Sequence, residues 1–171
     1  MSRGVIAGAK WPVAAALGCL LLFAPVAASA RPASVAKVES GIRRCANGSR
    51  EAAGLEPLQA SGVLDKAARL QARNMAVHGF FEHTDPQGRD PAARVAIFDS
   101  RHEFSFVGEN IAAGYPSVQS TCRGWMNSSG HRANILDSDY THIGAGFARG
   151  GPYGRYYVQV FARAQPSPRL P

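Results

Sequence analysis

Residues 1–30 decide the surroundings in which the rest of the chain must fold. Arg3 and Lys10 precede an apolar stretch from Trp11 to Ala28, broken by Pro12 and Pro25, and Ala28-Ser29-Ala30 places small residues at the spacing a signal peptidase needs. The uninterrupted run, Val13 to Ala24, falls short of the ~20 residues that span a bilayer. The segment therefore reads as a secretion signal, the alternative being a retained membrane anchor. Cys19 follows Ala16-Leu17-Gly18, which has some likeness to a lipoprotein cleavage site, yet the apolar run continues through Leu20, Leu21, Leu22 and Phe23, where a lipid-modified cysteine should end it. Export would place the remainder outside the cell or in the periplasm, with no transmembrane segment in the mature chain.

The same cut removes Cys19 and leaves two cysteines, Cys45 and Cys122. In an oxidising compartment they are expected to form one disulfide, and closing so long a loop contributes roughly 4 kcal/mol on the chain-entropy model. A cysteine nucleophile is the alternative, and it would need a reduced thiol outside the cytosol. With 171 residues, 46% of them hydrophobic and 18% charged, the chain has the composition of one core-forming domain, expected over 31–164. The mature chain keeps 17 basic residues against 12 acidic, a net charge of +5. That balance suits acidic polymers or anionic surfaces without choosing among them, and no nucleic-acid partner is expected.

Apolar spacing predicts a first helix from Val35 to Ala53, through Val38, Ile42 and Cys45, stopped by Gly54. Ser61 caps a second helix with a stripe of Leu64, Ala68, Ala72 and Met75, ended by Gly79. Asp90-Pro91 opens a short third helix to about Ser100, and Ser117 caps a fourth that ends near Ser128-Ser129-Gly130. A short strand is expected around Gly108-Glu109-Asn110. His142 to Ala148 and Arg155 to Arg163 read as a hairpin about Gly150-Gly151-Pro152. In its second strand Tyr156, Val158 and Val160 face one way while Tyr157 and Phe161 face the other, so the sheet requires a layer on each side. Gln165 to Pro171, with three prolines, reads as a tail.

No strong local catalytic signature is present: no zinc helix, nucleophile elbow, phosphate loop or Cys-x-x-Cys pair. What remains is His83 in Phe80-Phe81-Glu82-His83-Thr84-Asp85-Pro86, Glu109 in Gly108-Glu109-Asn110, and His131 in Ser129-Gly130-His131-Arg132. Two imidazoles and a carboxylate at element ends have the chemistry to hold a divalent ion or share a proton. Each also has a plainer reading. His83 suits a turn histidine bonded to nearby backbone, His131 a helix start, and Glu109 a carboxylate on orphan amides at a bend. Ser128 and Ser129 lie too close in sequence to His131 for a serine-hydrolase arrangement, and Arg43, Arg44, Arg69 and Arg73 read as a solvated basic face.

In order, His83-Thr84-Asp85-Pro86, Gly108-Glu109-Asn110-Ile111-Ala112, Gly124-Trp125-Met126-Asn127 through Gly130-His131-Arg132-Ala133-Asn134-Ile135-Leu136, and Tyr157-Val158-Gln159-Val160-Phe161 resemble the CAP, or SCP-like, superfamily in its bacterial secreted branch. The match runs from about Val35 to Arg163. The resemblance implies an α+β fold, a three-layer α-β-α sandwich around a central antiparallel sheet. It also implies a cleft that in eukaryotic relatives carries two histidines and two glutamates able to bind zinc. His83 and Glu109 take the places of the first histidine and first glutamate. Ser128, three residues after Trp125, stands where the second glutamate would be, and Arg155, Tyr156 and Tyr157 stand where the second histidine would be. The expected cleft set is therefore His83, Glu109, His131, Ser128 and Tyr156, with His83 and His131 the pair for zinc or another divalent cation, none being required.

Lipid and sterol binding, glycan or cell-wall contact and occasional proteolysis have all been proposed in the family, so the resemblance speaks to fold more than to function. The first expectation is a secreted, non-enzymatic binding module stapled by Cys45 and Cys122, whose partner is lipid, glycan or cell-wall material. The second is a hydrolase in which Glu109 acts as general base on water and the histidines hold metal or stabilise an oxyanion. The third is an envelope-binding scaffold that works through its arginine face.

Overall fold

The computed structural model describes residues 33–165; the signal segment read at 1–30 and tail residues 166–171 lie outside them. Helix α1, Ala33–Ala52, buries Ile42 and Ala46, and Gly54 at φ 73° follows its end. Strand β1 is only Gln59–Ala60. Helix α2, Gly62–His78, starts where Ser61 Oγ accepts the Leu64 N–H at 3.4 Å and ends at left-handed Gly79, whose N–H donates to the Met75 carbonyl. Helix α3, Pro91–Ala96, has Asp90 as its cap and stops short of the Ser100 expected. Beyond it, Asp99 turns the chain by accepting the N–H groups of Glu103 and Phe104.

Strand β2, Phe104–Ala113, is longer than the predicted one and carries a bulge between Ser105 and Gly108. Ser117 caps α4, Val118–Asn127, in a capping box with Ser120. Helix α5, Ser129–Leu136, supplies the helix start read at His131, although it follows directly on the stop at Ser128-Ser129-Gly130 and buries only Ile135. Its support comes from afar: buried Arg50 on α1 donates to the carbonyls of Ile135 and Asp137 at 2.9 and 2.7 Å, satisfying the helix end. Burial lowers the pKa of Arg50 from its ordinary value, and Asp137 partly offsets this. The predicted hairpin is β3, His142–Gly150, with β4, Gly154–Ala164.

The sheet order is β1-β3-β4-β2. The β3/β4 and β4/β2 pairs are antiparallel, but β1 runs parallel to β3, so the sheet is mixed rather than purely antiparallel. As expected, β4 separates two cores. Tyr156, Val158 and Val160 meet α2 and α3, whereas Tyr157 and Phe161 meet α1, α4 and α5. α2 packs on β3 at backbone range, since a Cβ at Gly146 would lie 2.6 Å from the Arg69 nitrogen. On the opposite layer the disulfide joins α1 to α4 through Cys45 and Cys122, with Cα atoms 6.3 Å apart.

Side chains bond the outer side of β2 and the part of β3 beyond the two-residue β1. On β2, Trp125 Nε1 donates to the Ile111 carbonyl at 3.2 Å and Asn134 Nδ2 to the Glu109 carbonyl at 3.2 Å. On β3, the Ala145 N–H donates to Asp65 Oδ1 at 2.8 Å. Asp65 also accepts from Arg43 and Arg69, and Arg69 grips Glu39 through two further bonds. Arg43 and Arg69 are thus committed to ion pairs, which corrects the reading of a solvated basic face for these two, whereas Arg44 and Arg73 are exposed. Gln165, assigned to the tail, still donates its N–H to the Glu103 carbonyl at 2.8 Å. Among the described residues no helix is long and apolar enough to cross a membrane.

Candidate functional site

The closed edge of β2 forms the floor of a cavity of about 410 Å³, to which Ile111, Ala112 and Trp125 contribute apolar surface. His83 enters from the loop after α2, and Ser128 and His131 from the α4–α5 junction. The sandwich therefore brings two residues 48 positions apart in sequence, His83 and His131, into one cavity from opposite layers.

The His83 loop is braced from several sides. Gln71 Nε2 on α2 donates to the Glu82 carbonyl at 2.6 Å, and Arg94 Nη1 on α3 donates to the His83 carbonyl at 2.8 Å. Asp85 accepts the Gln87 and Arg89 N–H groups at 3.0 Å and the Arg89 side chain at 2.8 Å. Burial works against its charge, but these bonds outweigh it and hold the carboxyl below its usual range.

His83 Nδ1 lies 2.9 Å from Glu109 Oε1, and Arg94 Nη2 lies 2.7 Å from Glu109 Oε2. A carboxylate paired with arginine only accepts, so His83 carries a proton on Nδ1 and presents Nε2 to the cavity. Glu109 stands behind the imidazole with both oxygens engaged, one by His83 and one by Arg94. Its backbone neighbour Asn110 binds the opposite wall, donating from Nδ2 to the His131 carbonyl at 3.0 Å and accepting from Asn134 at 2.9 Å. The plainer readings of His83 and Glu109, as partners of nearby backbone, are replaced by this pair of side-chain bonds.

His131 occupies the first turn of α5, as its plainer reading held, and its Nδ1 lies 2.9 Å from Ser128 Oγ. Burial first, and the nearby His83 second, lower its pKa from the ordinary 6.5. Tyr156 does not join the cleft. It is wholly buried on the α2 side of β4, where its hydroxyl accepts the Tyr153 N–H at 3.4 Å. Strand alternation sends its neighbour Tyr157 to the other face instead, where that hydroxyl donates to the Tyr115 carbonyl at 2.9 Å.

The donor set does not suit a zinc site built by this chain. Glu109 is spent on His83 and Arg94, leaving two imidazole nitrogens and the Ser128 hydroxyl where zinc takes three or four nitrogen, sulfur or carboxylate ligands. Among the described residues no group of three histidine, cysteine or acidic side chains could hold a metal ion. Sequence reasoning missed three contributors. Arg94 carries no outward sign of burial in a six-residue helix. Phe81 and Tyr115 line the cavity as part-exposed aromatics that local apolar patterning does not mark.

A sandwich with this cleft defines a CAP/SCP-type fold, and solved structures share it. An extracellular SCP-domain protein of Bacillus anthracis is 27% identical, with a TM-score of 0.67 over 75% of this chain and 41% of that one. An outer surface protein of Borrelia burgdorferi is 21% identical, with a TM-score of 0.66 over 72% of this chain and 90% of that one. The CAP model of the cysteine-rich secretory protein family matches residues 43–161, and the chain belongs to that family. Among curated proteins, YkwD of Bacillus subtilis is 36% identical over 120 residues, 70% of this chain and 46% of YkwD. The membrane protein YlbC of the same organism is 32% identical over 110 residues, 64% of this chain and 30% of YlbC. The matched segment thus spans less than half the length of either.

Proposed function

We propose that this chain is a secreted binding module whose cleft takes a small uncharged ligand, with glycan, cell-wall fragments or neutral lipid as the sources. One observation carries the reading: among the described residues no Lys, Arg, Asp or Glu lines the cavity, although the chain as a whole is strongly basic. The carboxylate behind it is matched by Arg94, so a charged ligand would find no counterion there. Ser128 and the two imidazoles offer hydrogen bonds above an apolar floor, the usual make-up of a small-molecule site. The described domain stands beside extracellular and surface proteins in fold, which accords with export on the signal read at 1–30.

The test is calorimetric titration of the chain with neutral chito-oligosaccharides, with phosphatidylcholine vesicles and with a polyanion, dextran sulfate. Saturable binding of a neutral ligand, weakened at least tenfold in His83→Ala, supports the reading. Binding of dextran sulfate alone, unchanged in His83→Ala, would replace it with the scaffold reading.

A second reading, hydrolysis, is favoured by the 2.9 Å bond between His83 Nδ1 and Glu109 Oε1. The His83 Nε2 would be the base that takes a proton from water, with Glu109 holding the tautomer. Turnover of neutral ester or amide substrates that disappears in both His83→Ala and Glu109→Gln would support it.

A further inference from the structure

We propose that Gly124 is the seat that holds Tyr115 as one wall of the cleft, and that this pair sets what the cleft admits. The inference rests on the cleft being a ligand site. Both residues line the cavity, Tyr115 with 36% of its surface exposed. Gly124 lies in the last turns of α4, where a glycine weakens the helix relative to alanine and its backbone has no need of a positive φ. The reason for a residue without a side chain is room. A Cβ at this position would lie 2.8 Å from Tyr115 Cζ and 3.1 Å from Cε1, and would overlap the hydroxyl.

The backbone beneath Tyr115 cannot yield easily. Its carbonyl accepts the Tyr157 hydroxyl at 2.9 Å, the preceding Gly114 donates its N–H to the Arg155 carbonyl at 2.9 Å, and the following Pro116 carbonyl accepts the Arg155 guanidinium. With the main chain tied to β4 on both sides, a side chain at position 124 has to displace the ring. Phe81, the other aromatic at the mouth, is braced differently, by the Tyr153 ring with centroids 5.9 Å apart. Its wall is set by side-chain packing, whereas the Tyr115 wall is set by the absence of one methyl group. Gly124 is accordingly a positioning residue and Tyr115 the contact residue that it positions. Lifting the ring from its seat is expected to widen the cavity beside Trp125, the buried indole that also lines it.

Acrylamide quenching of Trp125 reads the aperture directly, with a small uncharged amide as the probe. The full chain is used with Trp11→Phe, so that Trp125 is its only tryptophan. Gly124→Ala and Tyr115→Ala are each expected to at least double the quenching constant. The double variant is expected to match Tyr115→Ala alone, since the methyl group acts only through the ring. An unchanged or smaller constant in a folded Gly124→Ala, or effects that add in the double variant, would overturn the proposal. Should Gly124→Ala alone fail to fold, recovery of cooperative melting on adding Tyr115→Ala supports the seat, and failure to recover overturns it. Because acrylamide serves as probe, a failed search for a natural ligand leaves this result standing, and the reverse holds equally.

Discussion

The guanidinium of Arg94 lies 2.7 Å from Glu109 Oε2, with side-chain exposures of 0% and 1%, while the other oxygen of the same carboxylate holds an imidazole that is half open to the cleft. A charge hidden inside the protein thus fixes the orientation of a group on its surface. Glu109 is inseparable from Arg94 in energy and from His83 in geometry.

Replacing Arg94 with methionine strands that carboxylate away from water. Loss of one partner from a buried ion pair costs about 3–5 kcal/mol, and Arg94→Met should lower the unfolding free energy by that order in urea titrations. Adding Glu109→Gln should return much of the loss. A single variant as stable as the parent would show that the pair contributes nothing to the fold.

Zinc should bind poorly, since the imidazoles have no carboxylate to complete a set. Calorimetry at micromolar zinc should give no saturable heat. Tight binding that disappears in both His83→Ala and His131→Ala would overturn this and show that the two imidazoles hold the ion without a carboxylate.

Acid should loosen the site through His131. Its pKa is lowered in the folded protein, so the unfolded chain takes up a proton first as pH falls below about 6.5. Protonation then favours the unfolded state: the stabilising contribution is complete above that pH and is lost as pH drops through the folded value. His142, lowered mainly by burial with Glu103 in partial opposition, acts in the same direction. His131→Gln should flatten the fall in melting temperature between pH 7 and 5 but leave the part owed to His142; an unaltered slope would remove His131 from the account.

Much of this architecture is legible from short-range rules. Ser61, Gly79, Asp90 and Ser117 announce helix boundaries because each satisfies a backbone group within a few residues of itself. Tyr156 through Phe161 show two faces because alternation is local. What escaped is what depends on distance. The start of α5 at His131 is local, but its far end is held by Arg50, 85 positions from Ile135. Arg94 resembles any surface arginine until Glu109, 15 positions on, arrives beside it. The misplacement of Tyr156 was a parity error: a shift of one residue along a strand exchanges the cleft side for the core.

Reduction of Cys45–Cys122 should lower stability without abolishing the fold. The sequence separation is 77 residues, and the chain-entropy model assigns such a loop roughly 4 kcal/mol. Urea unfolding with and without dithiothreitol measures the difference. Peptide mapping should recover the two cysteines joined, and recovery of both as free thiols would refute the link.

Strand β4, the last of the described strands, is the one that β3 and β2 both border. A polypeptide cut before Gly154 can make every helix yet has only the two-residue β1 to set beside β3, and β2 has no neighbour at all. The β3-β4-β2 body of the sheet therefore cannot be built until β4 is present. C-terminal truncations should pass abruptly from unfolded to native, with no half-built sheet at intermediate lengths.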